Sequence, residues 1–231
     1  MGRPGSNLWL PSVGDDGAGH AIHVPVSQTF VVAIDDALLV ALIDENWLLD
    51  CPAGVLVDQL FDRERVPAWE SLAGYFDVFE RQPPTINLGT FISAGGVREA
   101  VVGRADRAAT ADELARMEAQ VAAAMEDGAF GLSTSLQYVP DRFARTDELV
   151  ALARVAGRYG GSYISHQRSE ADEIDESLDE VFRIAREAGV PAQVHHLKTA
   201  YKQNWGRMPA VLKRFDEARR QGLDVAADLY P

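Results

Sequence analysis

The chain has a single cysteine, Cys51, among 231 residues. That excludes an internal disulfide framework and any cysteine-rich zinc module. Positive charge is scarce as well: 22 Lys and Arg against 35 Asp and Glu leave a formal net charge of −13. This sign repels phosphate backbones and anionic lipid, so neither nucleic acid nor a membrane surface is an expected partner. An uninterrupted apolar run of about 18 residues is missing, and with it any expectation of a membrane-spanning helix. The opening Met1-Gly-Arg-Pro-Gly-Ser-Asn7 has no apolar stretch behind its arginine. No signal peptide is therefore expected, and the chain reads as soluble and cytoplasmic. Apolar material is plentiful at 47% of residues, enough for a core and too much for wholesale disorder.

The length favours one domain with an extension. Residues 1–27 hold five Gly and three Pro without a period and are expected to be poorly ordered. Residues 28–66 carry apolar runs (Phe30–Ile34, Ala37–Ile43) but no caps or turns, and stay unassigned. From residue 67 to 231 the signals agree. Apolar spacing predicts a helix over Ala68–Arg81, ended by Pro83-Pro84. Thr85–Ile92 is a short β-rich run. Thr110 and Glu113 form a capping box for a helix to Asp127, with Gly128 as its stop. Ala129–Thr134 is short and apolar, and Thr146 is expected to cap a helix to about Tyr159. Ser162–His166 and Val190–His196 read as strands, Glu173–Ala188 and Pro209–Gln221 as helices, and Leu223–Tyr230 as a final apolar run. Alternation of this kind demands a parallel sheet with right-handed crossovers. Successive strands end near Thr134, His166, His196 and Asp228, at steps of 32, 30 and 32 residues. One βα unit of a doubly wound sheet or a (β/α)8 barrel has that length. A whole barrel needs about 250 residues, so the patterned part is expected to be incomplete.

Parallel α/β folds gather their chemistry at the C-terminal strand ends, which here hold His166, His196 and Asp228. Strand alternation is expected to put Ser162, Ile164 and His166 on one face, and Val194 and His196 likewise. Two imidazoles at one level of adjacent strands can share a divalent metal; singly, each is a hydrogen-bonded strand-end residue. His195 is expected to point away and serve packing or hydrogen bonding. Arg168 and Glu170 follow His166, and Lys198 follows His196, placed to hold a carboxylate or to reach solvent. The run Gly128–Ser135 with Tyr138 puts two Gly and three hydroxyls at another strand end, where turn chemistry accounts for them. His20 and His23 lie in the unpatterned region, and Cys51 reads as a small apolar residue.

Several ordered segments carry a family resemblance. Met125-Glu-Asp-Gly-Ala-Phe-Gly-Leu-Ser-Thr-Ser-Leu-Gln-Tyr-Val-Pro140 resembles the signature of the D-aminoacylase (N-acyl-D-amino-acid deacylase) branch of the amidohydrolase superfamily. So do Gly161–Glu170, Val190–Lys198, Asn204-Trp-Gly206 and Ala227–Pro231, and upstream Ser93–Arg98 and Gly103–Arg107. The resemblance implies a partial TIM-like (β/α) barrel that hydrolyses the amide of a small N-acylated D-amino acid with zinc. His166 and His196 match the family's two later histidine ligands. Tyr138, Lys198 and Tyr230 match substrate-contacting positions, with Lys198 near the substrate carboxylate. The family's first-strand His-x-His pair has no counterpart here, its cysteine ligand is not matched by Cys51, and its catalytic aspartate falls beyond Pro231. Residues 1–65 fit no family segment. The chain is therefore expected to be a fragment, either of an active enzyme or of a catalytically silent remnant. A hydantoinase- or dihydroorotase-like substrate is the weaker alternative.

Overall fold

A computed structural model describes residues 30–33, 71–81 and 87–229. The segment 1–27, His20, His23, Cys51, Trp69 and Tyr230 lie outside the described residues. Strand β1 (Phe30–Ala33) pairs in parallel with β2 (Asn87–Thr90), and helix α1 (Leu72–Arg81) stands between them in the chain. Phe91 alone separates β2 from β3 (Ile92–Ser93). Then come α2 (Ala94–Val101), α3 (Ala111–Asp127), β4 (Gly131–Ser135), α4 (Thr146–Arg158), β5 (Ser162–His166), α5 (Ile174–Ala188), β6 (Ala192–Val194), α6 (Met208–Arg220) and β7 (Val225–Ala227). No helix among the described residues is long and apolar enough to cross a membrane.

Strands β3 to β7 form one parallel sheet in the spatial order 3-4-5-6-7. A doubly wound sheet starts from a middle strand and reverses direction, so sequence neighbours are separated at its switch point. Here each strand lies beside the one before it and the winding keeps a single sense, as in a barrel. Five such strands make a partial TIM-like (β/α) barrel.

Helix boundaries follow local chemistry. Thr110 Oγ1 accepts from Glu113 N at 3.2 Å while Glu113 Oε2 accepts from Thr110 N at 2.8 Å. At the other end Gly128 takes φ +112, a left-handed stop that a side chain resists. Thr146 proves to be the first helical residue rather than the cap; Arg145 occupies the cap position without a side-chain bond. The Thr146 hydroxyl instead donates to Glu180 at 2.8 Å, tying α4 to α5. Helix α5 buries Ile174, Leu178, Val181, Phe182 and Ala185, spaced 4, 3, 1 and 3 apart as one helical stripe demands.

The sheet register sorts the strands into two faces. Leu132, Tyr163, Ala192, Val194 and Val225 belong to the apolar cluster beneath the helices. Their neighbours Ser133, Ile164, Gln193 and Ala226 are mutually in register and face the other way. His166 is two residues beyond Ile164, so it lies on that second face at the C-terminal edge. Gly131 explains how β4 comes so close to β5: at φ +153, a Cβ there would lie 1.9 Å from the Ser162 carbonyl oxygen.

Candidate metal centre

His166 closes β5 and His196 lies past the end of β6. Their rings meet edge to face, with centroids 4.6 Å apart and His166 Nδ1 at 2.9 Å from His196 Nε2. The expected pair is therefore brought together, but not by strand alternation. Val194 is in register with Ser165, and Gln193 with Ile164, so continued alternation would present His195, not His196, beside His166. Strand β6 stops at Val194 after three residues, and His196 takes φ +37. That left-handed turn swings the second imidazole onto the face that holds the first. For a non-glycine residue it costs on the order of 1–3 kcal/mol, held by the surrounding structure.

Asp228, just past β7, supplies much of that hold. Its Oδ1 accepts from the His196 amide at 2.5 Å. Its Oδ2 accepts from Gln193 Nε2 at 2.6 Å and lies 3.0 Å from His195 Nδ1. Its own backbone accepts from Leu197 N at 2.8 Å and donates to Val194 O at 3.1 Å. Burial pushes the Asp228 carboxyl up, but the bonds from His195, the His196 amide and Gln193 outweigh it and bring it down to about 2. His195 thus takes the hydrogen-bonding role expected of it, but it does so from the face of Gln193, with which it shares Asp228 Oδ2, and not by pointing away. Its ring also stacks on His196 at 5.9 Å.

In the sequence Glu170 is only a polar neighbour of His166, yet it organises the other side of His196. Its Oε1 lies 2.8 Å from His196 Nδ1 and 2.5 Å from Lys198 Nζ, and Lys198 Nζ is itself 2.8 Å from His196 Nδ1. Burial raises the Glu170 carboxyl, and the bonds from His196 and Lys198 overcome this and lower it to about 2. His166, Glu170 and His196 each offer one donor atom within 4.8 Å of the others. A zinc ion with bonds of about 2.0–2.2 Å spans no more than about 4.3 Å between opposed donors. The two imidazole nitrogens at 2.9 Å fit one ion, whereas Glu170 stands behind His196 on its outer nitrogen. A carboxylate on the outer nitrogen is the usual partner of a metal-bound histidine. His166 Nε2, on the far side of the ring from the nitrogen that faces His196, is buried without a hydrogen-bond partner among the described residues. Burial also pushes the His166 ring down to about 4, with the Glu170 charge opposing, so it is neutral and able to ligate at neutral pH.

Tyr138 stands over this pair, its ring centroid 5.4 Å from that of His166, and is 41% exposed. A cleft of about 440 Å³ opens beside Glu170, walled by Leu136, Arg142, Arg168, Ala200 and Tyr201. Arg168 is occupied structurally: it grips Glu180 and the Arg142 and Ala144 carbonyls. Asn204, from the Asn-Trp-Gly segment, is buried and donates to Asp172 Oδ1 and Ala200 O at 2.8 Å. It staples the loop after β6 to the loop after β5, and so fixes the wall of the cleft.

No family model matches the chain. An N-acyl-D-glutamate deacylase of Alcaligenes xylosoxydans xylosoxydans is 38% identical over 165 residues, covering 71% of this chain and 34% of that protein. A D-aminoacylase of the same organism is 35% identical over 163 residues, covering 71% and 34%. Among solved structures, a D-aminoacylase described as defining a subset of amidohydrolases superposes with a TM-score of 0.68 at 34% identity, covering 71% of this chain and 34% of that one. An N-acyl-D-glutamate deacylase from Bordetella bronchiseptica, complexed with zinc and a phosphonate inhibitor, superposes at 0.69 with 38% identity, covering 72% and 35%. The chain thus spans about a third of the length of the relatives it matches. Over the matched stretch, in sequence and in fold alike, the chain belongs to the D-aminoacylase family of the amidohydrolase superfamily.

Proposed function

We propose that the chain is the metal-binding portion of an amidohydrolase that cleaves the amide bond of an N-acyl-D-amino acid, with zinc held by His166 and His196. The observation that carries this reading is the facing pair of imidazole nitrogens at 2.9 Å, with Lys198 and Tyr138 beside it. The similarity to an N-acyl-D-glutamate deacylase and a D-aminoacylase supports the substrate class. When bound, zinc lowers the pKa of a water molecule and polarises the acyl carbonyl.

The residues of this chain do the holding and orienting. Glu170 fixes the His196 ring by accepting from its outer nitrogen. Lys198, a compact cation on a flexible stem, leaves Glu170 to meet the substrate carboxylate. Tyr138 offers its hydroxyl from the exposed side of His166, and Tyr230 is proposed as a further substrate contact. Two imidazoles make two of the three protein ligands usual at a catalytic zinc. The remaining donor of the group, Glu170, is engaged with the outer nitrogen of His196 and with Lys198. That favours a second reading, in which this chain on its own binds zinc without turnover.

The test is release of free amino acid from N-acetyl-D-glutamate, N-acetyl-D-leucine and their L-enantiomers, with zinc added to the full chain. Release from the D-substrates alone, lost in His196→Ala, supports the deacylase reading. Lys198→Ala is expected to raise KM with little change in kcat. Equal release from L-substrates overturns the proposed specificity. Tight zinc with no release supports the second reading.

A further inference from the structure

We infer that Asp228 is a positioning residue for the zinc-binding pair, acting through the backbone of His196. The inference rests on the metal-centre reading above and assigns the residue that makes the pair possible. Three facts carry it. First, the register of β5 and β6 would present His195 to His166, and only the positive φ of His196 reverses this. Second, a left-handed non-glycine residue persists only where its surroundings over-determine it. Third, among the described residues Asp228 alone reaches every residue of the segment 193–197. It bonds the Gln193 side chain, the Val194 carbonyl, the His195 ring, the His196 amide and the Leu197 amide.

The carboxylate therefore fixes the His196 backbone from the β7 side, while Glu170 fixes its ring from the cleft side. Between them His196 Nε2 is held toward His166 before any ion arrives. Asp228 is separated from the ion by His196, so it is a positioning residue and not a ligand. Its effect belongs to metal affinity and ion geometry rather than to substrate contact. His195 takes one of the three bonds that the carboxylate makes, so its removal disturbs the turn less.

The test uses the full chain with zinc, titrated in competition with a chromophoric chelator, and with cobalt(II) as a spectroscopic substitute. Asp228→Ala is expected to weaken zinc binding by about 10–100-fold, the range for loss of a residue that orients a ligand. The visible cobalt bands should fall in intensity as the ion takes up water in place of a histidine. Asp228→Asn keeps one acceptor oxygen for the His196 amide and should lose less than Asp228→Ala. Asp224→Ala, which removes the same charge at the far end of β7, should match the wild type. Zinc affinity and cobalt bands unchanged in Asp228→Ala would overturn the inference and leave the metal-centre reading standing. Where circular dichroism shows Asp228→Ala to be unfolded, Asp228→Asn decides: weakened binding supports the inference, and wild-type binding overturns it. Zinc absent from the folded wild-type chain would overturn the metal-centre reading and this inference together.

Discussion

Arg98, in the Ser93–Arg98 segment, is completely buried, and its partner Glu148 is 5% exposed. Arg98 Nη1 donates to both Glu148 oxygens at 2.7 Å, and Nη2 to the Arg107 and Ala105 carbonyls at 2.5 and 3.3 Å. One side chain thus joins α2, the start of α4 and the loop 102–110. Glu148→Ala strands a guanidinium that cannot lose its proton, and breaking a buried pair this way costs about 3–5 kcal/mol. Against a typical total of about 5–15 kcal/mol, that is about a fifth of the stability or more. Arg98→Met strands the carboxylate instead and leaves two carbonyls without donors, at roughly 1 kcal/mol each. The double variant Arg98→Met with Glu148→Leu removes both charges, so the pair term becomes neutral or favourable. Only the carbonyl losses then remain, about 2 kcal/mol. Urea unfolding followed by circular dichroism, with m-values compared, measures all three. A Glu148→Ala loss below about 1 kcal/mol, or a double variant less stable than Glu148→Ala, would refute the reasoning.

Gln167 is fully buried, and neither its amide oxygen nor its amide nitrogen has a hydrogen-bond partner among the described residues. Gln167→Met should therefore raise stability by about 1–3 kcal/mol, the cost of an unsatisfied buried amide; an unchanged or lower urea midpoint would contradict this. The pH dependence follows from His166, whose folded value of about 4 lies below the unfolded 6.5 or so. Between those values the unfolded chain binds the proton and the folded chain does not, so stability falls as pH falls from about 6.5 to 4. Glu170 and Asp228, both near 2 when folded, add losses of the same sign below their unfolded values. His166→Gln should flatten the upper part of a urea-midpoint profile and leave the part below about pH 4.5; superimposable profiles would contradict the assignment.

What the sequence revealed was mostly local. The capping box at Thr110 and Glu113 and the left-handed stop at Gly128 need only neighbours in the chain, and both are present. Helix α2 carries little sequence signal, because Gly95-Gly96 has poor helix propensity. It is held by the Ser93 side chain, which accepts from Gly96 N, and by the buried pair of Arg98. Thr146 looked like a cap because a hydroxyl before an acidic turn usually is one, whereas a bond to α5 claims it. At the candidate site, His166 and His196 were legible as residues, and their separation by one βα repeat was informative. The manner of their meeting was not. A three-residue strand followed by a positive φ leaves no periodic signal, and Asp228 acts from 32 residues away. Glu170, at i+4 from His166, was visible as a polar neighbour only, since its role depends on where the loop after β6 returns Lys198.

Zinc stoichiometry of the folded, purified chain after zinc addition and desalting tests the metal centre most directly. Expected is roughly one zinc per chain, lost in His166→Ala and in His196→Ala and largely kept in His195→Ala. A folded chain that retains no zinc would contradict the metal centre outright. Loss in His195→Ala with retention in His196→Ala would show that the wrong imidazole had been placed beside His166.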